Sequence, residues 1–249
     1  MSKRERASSP NAVRVVFFDI GNVLLKFDVT HVISRIAVAV SRHPLRVGRL
    51  LWNRELVDGI ERGEITTSEL YAIFQDELAY EGDFPSFVKL WCDYFTLDTR
   101  ADRILNRLVR RLPVYLLSNT NRLHYEFIRA NYSFARRVKG AVLSYRLGAR
   151  KPEPAIYRAA LKRARVRAGS ALFIDDRAEN IEGAKREGLH AILYTGAEAL
   201  ERSLVEMNLL RGGPKKRPSA RTAGDVRRPL RGRTRSRTRA SRNENPARK

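Results

Sequence analysis

Four short polar clusters follow or flank apolar runs: Asp19 in VVFFDIGNVL, Ser118 in VYLLSNTN, Lys151 in LGARKPEPAIY, and Asp175 with Asp176 in ALFIDDRAEN. A carboxylate, a hydroxyl, an ammonium and a carboxylate pair, set at the carboxyl ends of buried strands, suit the transfer of a phosphoryl group. Asp19 can attack phosphorus and carry it as an aspartyl phosphate. Asp175 and Asp176 would repel each other unless a cation compensated them. With Asp19 they can offer hard oxygen ligands to Mg²⁺, which takes one or two carboxylates together with phosphate and water. Neighbouring strand residues point to opposite faces, so one of the pair is expected to be a direct ligand, and Asp176 is preferred.

The other two clusters fit the same chemistry. Ser118 and the backbone N–H groups of Asn119 and Thr120 can bond phosphate oxygens at a helix N-terminus. Lys151 stands just before Pro152 and a helix start, where it can neutralise charge on the nucleophile and on the phosphoryl group in transit. Taken singly, each has a plainer reading: Asp19 as a turn cap, Asp175 as a helix cap, Lys151 as a solvated surface lysine. Four together favour a site.

Such a site needs a parallel sheet, because ligands in open α/β folds bind outside the carboxyl ends of the strands, where the strand order switches. Five short apolar runs read as buried strands: Val13–Phe18, Val114–Leu117, Gly140–Leu143, Ala171–Ile174 and Ala191–Tyr194. Helical patterns at Arg100–Leu112, Leu123–Asn131, Pro154–Ala164 and Ala178–Glu187 separate the later ones. The expected fold class is therefore α/β, a Rossmann-like parallel sheet flanked by helices.

Between the first and second core strands lies a long stretch without a convincing strand. Val29–Val40, Leu45–Ile60, Thr67–Glu77 and Phe84–Phe95 carry apolar stripes at helical spacing instead. ERGEITTSEL reads as a helix end at Gly63 and a new start capped by Thr66 or Thr67. The expected layout is a flexible N-terminus over 1–10, an α/β core over 11–28 and 98–210, and an inserted helical cap over 29–97. The cap should close over the crevice and choose the substrate. Trp52, Glu61, Arg62 and Trp91 are its candidate substrate contacts, although each is also an ordinary packing or surface residue. His124 could help orient a substrate or supply a proton, although a helix-surface histidine is the plainer reading.

Residues 211–249 depart from this pattern. They hold fifteen Lys or Arg against Asp225 and Glu244, a net of +13 out of +22 for the chain, which leaves +9 for residues 1–210. With few large apolar groups the segment cannot offset the entropy of ordering, and is expected to be a disordered tail. Its RGRTRSRTR run suits phosphate backbones but lacks aromatic residues for base stacking, which points to nonspecific nucleic-acid contact or to mere solubilisation. The lone Cys92 excludes an internal disulfide. The VRVVFF run, cut short by Asp19, is a strand rather than a secretory signal, and no window is apolar enough to cross a bilayer. A cytoplasmic protein, monomeric or homodimeric, is expected.

FDIGNVL, LSNTNRLH, LGARKPEPAIY and FIDDRAENIEGA together resemble the haloacid dehalogenase superfamily over roughly residues 13–200, with all four of its motifs in order. They look most like a bacterial branch acting on glucose 1-phosphate. The resemblance implies a Mg²⁺-dependent phosphatase with an inserted cap, in which Asp19 is the nucleophile, Asp176 and the Gly21 carbonyl hold Mg²⁺, Ser118 and Asn119 bind phosphate, and Lys151 orients the charge. One position departs from most phosphatases of that superfamily, which carry an acid where this chain has Gly21. General acid catalysis contributes about 10²–10⁴-fold, so the expected substrate has a comparatively acidic leaving group, such as a hexose 1-phosphate or an acyl phosphate. The dehalogenases of the superfamily also lack that acid but work without a metal, and the Asp175–Asp176 pair counts against their reaction here. A member that binds a phosphorylated ligand without hydrolysing it is the alternative that Gly21 raises.

Overall fold

The computed structural model describes residues 12–211. The flexible N-terminus and the basic tail expected from the sequence lie outside them. In chain order the elements are β1 (Val15–Phe18), β2 (Leu25–Lys26), α1 (Val29–Ala39), α2 (Pro44–Leu51), α3 (Arg54–Arg62), α4 (Thr67–Leu78), α5 (Phe84–Cys92), β3 (Thr96–Leu97), α6 (Thr99–Leu108), β4 (Val114–Ser118), α7 (Arg122–Asn131), α8 (Phe134–Arg137), β5 (Gly140–Leu143), α9 (Ser144–Leu147), α10 (Pro154–Ala164), β6 (Ala171–Asp175), α11 (Ala178–Arg186), β7 (His190–Leu193) and α12 (Ala197–Glu206). None of these helices is long and apolar enough to cross a membrane.

Five strands form one sheet in the order β5-β4-β1-β6-β7, all parallel. Successive β1 side chains enter opposite cores. Val16 and Phe18 pack with α6, α7 and α12, while Val15 and Phe17 pack with α10 and α11. Both faces are thus covered, which is why the strands read as unbroken apolar runs rather than as alternating ones. The chain runs outward from β1 through β4 to β5 and returns to β6 on the other side, so the order reverses at β1. The carboxyl ends of β1, β4 and β6 meet at that point, and Asp19, Ser118 and Asp175 stand there.

Helices α1 to α5 lie between β2 and β3, which pair antiparallel, Leu25 opposite Leu97 and Lys26 opposite Thr96. Phe74 and Phe87 are fully buried in a separate apolar cluster with Ile36, Val47 and Leu78. The continuous helix expected over Leu45–Ile60 is two helices. Trp52 ends α2, and the Asn53 side chain accepts the Leu56 N–H at 3.1 Å to start α3 in a new direction. Gly63 ends α3 at φ 75°, a left-handed conformation that favours glycine. Thr66 and Glu69 then cap α4 reciprocally.

Candidate active site

Asp19 continues β1 and donates its backbone N–H to the Ile174 carbonyl at 2.9 Å, which fixes it against β6. Lys151 arrives on the loop before α10 and is almost wholly enclosed. Its ammonium lies 2.7 Å from Asp19 Oδ1 and 2.6 Å from Asp175 Oδ2, and donates to the Leu117 carbonyl at 3.1 Å. Three donors meet three acceptors, so the lysine has no freedom left. Burial acts against its charge, but Asp19 and Asp175 outweigh it and hold its pKa above the usual value. Burial likewise pushes the Asp19 carboxyl up, to about 6, against the pull of Lys151.

The two carboxylates after β6 differ in their surroundings. Asp175 spends both oxygens inside the protein, Oδ1 accepting the Arg177 N–H at 2.8 Å and Asn180 Nδ2 at 2.9 Å, and Oδ2 facing Lys151. Asp176 is half-buried, lines the cavity, and is hydrogen-bonded by the Asn22 side chain. Burial and then the charge of Asp175 raise its pKa. Asp19, Asp175 and Asp176 each bring an oxygen to within 4.8 Å of the others. Three carboxylates against one ammonium leave an excess of negative charge, and with Asp175 already engaged the oxygens of Asp19 and Asp176 are the ones that fit a hard divalent cation.

The loop after β4 is ordered from within. The Asn119 side chain clasps the Lys151 backbone, Oδ1 accepting its N–H at 2.8 Å and Nδ2 donating to its carbonyl at 3.0 Å. Ser144 Oγ accepts the Thr120 N–H at 2.9 Å. Of the phosphate contacts expected from the sequence, the Thr120 N–H is therefore already engaged, and so is the side chain of Asn119, whose backbone N–H is the donor expected. Ser118, whose hydroxyl has only a long contact of 3.3 Å to the Asn119 carbonyl, stays available at the cavity floor.

These groups line a cavity of about 330 Å³. Gly21 and Phe27 share its rim, and a Cβ at Gly21 would meet Phe27 Cε1 at 3.3 Å, so an aromatic ring presses where a side chain would begin. Glu61 of α3 reaches the cavity from the opposite side. Its Oε2 lies 2.7 Å from Arg150 Nη2 without an aligned hydrogen bond, and burial pushes the carboxyl up to about 7. Trp91 also lines the cavity.

Trp52 does not. It caps α2 at 65% exposure, with its ring over Gly48, and the break before Asn53 turns it away from the crevice. Arg62 points to the core rather than to a substrate, pairing with Glu153 and donating to the Gly148 carbonyl at 3.0 Å. His124 is no surface residue. It lines the cavity, stacks on Trp91 at 5.2 Å, and is fixed by Asn121 Nδ2 at 2.9 Å on Nδ1 and by the Trp91 carbonyl at 3.0 Å on Nε2. Burial pushes its pKa down to about 4, so the ring is neutral. The plainer surface reading fails because the helical stripe of α7 does not say that α5 covers it. The LSNTNRLH spacing, which makes Asn121 the N-cap and puts His124 three residues later, was the available signal.

A sequence model of the haloacid dehalogenase-like hydrolases matches residues 13–188. A haloacid dehalogenase family enzyme from Bacteroides thetaiotaomicron, solved with magnesium and inorganic phosphate, superposes with a TM-score of 0.64 at 24% identity, over 73% of this chain and 94% of that one. A structure described as a predicted HAD-like hydrolase from Porphyromonas gingivalis gives a TM-score of 0.67 at 20% identity, over 77% and 98% of the two chains. L-2-haloacid dehalogenase from Xanthobacter autotrophicus gives 0.53 at 20% identity, over 80% and 85%. At these identities the likeness is one of fold. Among curated proteins, a drimenol cyclase of Aspergillus calidoustus is 26% identical over 200 residues, and the chain spans about 36% of its length. Because the family match covers well over half of its residues, the chain belongs to the haloacid dehalogenase-like hydrolases.

Proposed function

We propose that this hydrolase is a Mg²⁺-dependent phosphomonoesterase acting on a small phosphorylated metabolite through an aspartyl phosphate on Asp19. The observation that carries the reading is the buried Asp19–Lys151–Asp175 array, 2.7 and 2.6 Å across its two ion pairs, opening onto a cavity with Asp176 and Ser118. A metal held by Asp19, Asp176 and the Gly21 carbonyl would draw charge from the phosphoryl oxygens. The chain's own residues do the rest. Lys151 keeps the Asp19 carboxylate oriented and Asp175 keeps Lys151 charged. Ser118 donates to a phosphoryl oxygen. Asp19 forms the new P–O bond as the ester P–O bond breaks, and the leaving oxygen departs with the bonding pair. Water then attacks phosphorus as the bond to Asp19 breaks, which releases inorganic phosphate and restores the Asp19 carboxylate, and the proton that water loses makes up for the one the departed oxygen takes from solvent.

Gly21 offers no proton to the leaving oxygen, which favours esters whose leaving group is stable as an anion. Hexose 1-phosphates and acyl phosphates meet that demand, and the sequence likeness of the four motifs favours the former. The reading is tested by phosphate release from sugar, acyl, aryl and nucleotide phosphates, with Mg²⁺ or with a chelator. Release that needs the metal and disappears in Asp19→Asn supports it. Silence across the panel, with phosphate still binding, supports instead a ligand-binding protein that no longer hydrolyses.

A further inference from the structure

Resting on that phosphatase reading of Asp19, but against the hexose ester that the motifs suggest, we propose that the organic group of the substrate is apolar, an aryl or acyl group whose leaving oxygen is stable as an anion, rather than a polyol. The cavity is two-sided. The core supplies the polar half, from Asp19 to Lys151, Asp176 and Arg177, and the segment between β2 and α6 supplies the other. That second half presents Val29, Val32, Val57, Ile60, Trp91 and Tyr94, and its one charged contribution is Glu61.

The polar atoms on this wall are few, and apart from Glu61 they are engaged or sealed. Tyr94 Oη lies 3.1 Å from His124 Nε2, which also faces the Trp91 carbonyl, and Asn121 occupies the other ring nitrogen. His124 is neutral there, and Glu61, whose Oε2 lies 2.7 Å from Arg150 Nη2 without an aligned hydrogen bond, is the one acceptor on this wall still open to a ligand. Trp91 Nε1 has no partner but is sealed from solvent. A sugar would bring several hydroxyls to a wall able to satisfy few of them, and each hydroxyl buried without a partner costs about five- to a hundredfold in affinity. A hydrocarbon would instead gain about three- to fourfold for each methylene it buries. Phe27, pressed against Gly21, continues the same apolar wall to the loop that follows Asp19.

The test is calorimetric binding of ethyl-, butyl- and hexylphosphonate to the full chain with Mg²⁺, against a phosphonate analogue of glucose 1-phosphate. The expected result is a Kd that falls about three- to fourfold per added methylene, with hexylphosphonate tighter than the sugar analogue. A flat or rising Kd along the series, or a tighter sugar analogue, overturns the proposal. In Val57→Thr the dependence on chain length should flatten, and an unchanged slope in that variant counts against this wall as the contact. Turnover of acetyl phosphate by wild type but not by Asp19→Asn, measured in parallel, reports on the phosphatase reading separately, so either can fail while the other stands.

Discussion

Lys151 holds two carboxylates that would otherwise face each other without compensation in a closed space. Its ammonium lies 2.7 Å from Asp19 and 2.6 Å from Asp175, and both acids are buried. Removing one member of a buried ionic set typically costs about 3–5 kcal/mol, because the charge left behind has neither water nor partner. Lys151→Met should therefore lower unfolding stability in urea by about that amount, and the added change Asp175→Asn should recover part of the loss. A Lys151→Met protein as stable as wild type would mean that water reaches the acids. The site was legible in the sequence where a residue's place follows from the strand it ends, as with Asp19, Ser118 and the Asp175–Asp176 pair. It was not legible where a helix direction decides: Trp52 was misplaced by the break at Asn53, and His124 was covered by another helix.

Helices α5 and α7 meet at that histidine. His124, in the first turn of α7, reaches the Trp91 carbonyl near the end of α5 and stacks on the same tryptophan. Burial lowers its pKa from 6.5 to about 4, so between these values the folded protein binds fewer protons at this site than the unfolded chain does. Its contribution to stability is complete above pH 6.5 and is lost as pH falls towards about 4. The stability difference between wild type and His124→Gln, followed by thermal melting across that range, should shrink as the solution is acidified. A difference that stays constant would show a ring that takes up its proton freely. The five core strands could be read as elements because burial on both sheet faces makes each a short continuous apolar run. The two-residue strands β2 and β3 and the four-residue helices α8 and α9 are too short to carry a period, so tertiary contacts alone define them. The division between α2 and α3 rests on one side-chain cap that the apolar stripe does not reveal.

At the scale of the whole chain, charge divides unevenly between a mildly basic body and a strongly basic terminus. Residues 211–249 carry a net +13. Arg211 still belongs to the body, its carbonyl accepting from Arg107 Nη2 at 2.7 Å, so a cut is best made after it. Deleting residues 212–249 should leave turnover of small phosphates unchanged while abolishing any salt-sensitive retention of RNA or DNA. Retention that survives the deletion would move the basic surface onto the folded body, and lost turnover would show that the terminus supports the site. In the proposed reaction Asp19 is the nucleophile that attacks phosphorus. The most direct test is to mix the protein with Mg²⁺ and phenyl phosphate, quench in acid within the first turnovers, and examine the Asp19 peptide by mass spectrometry. A phosphoryl group on that aspartate, absent from Asp19→Asn together with phosphate release, is the predicted result. Phosphate released at the same rate with Asn in place of Asp19, or turnover in the wild type with no phosphoryl group ever found on Asp19, would contradict it.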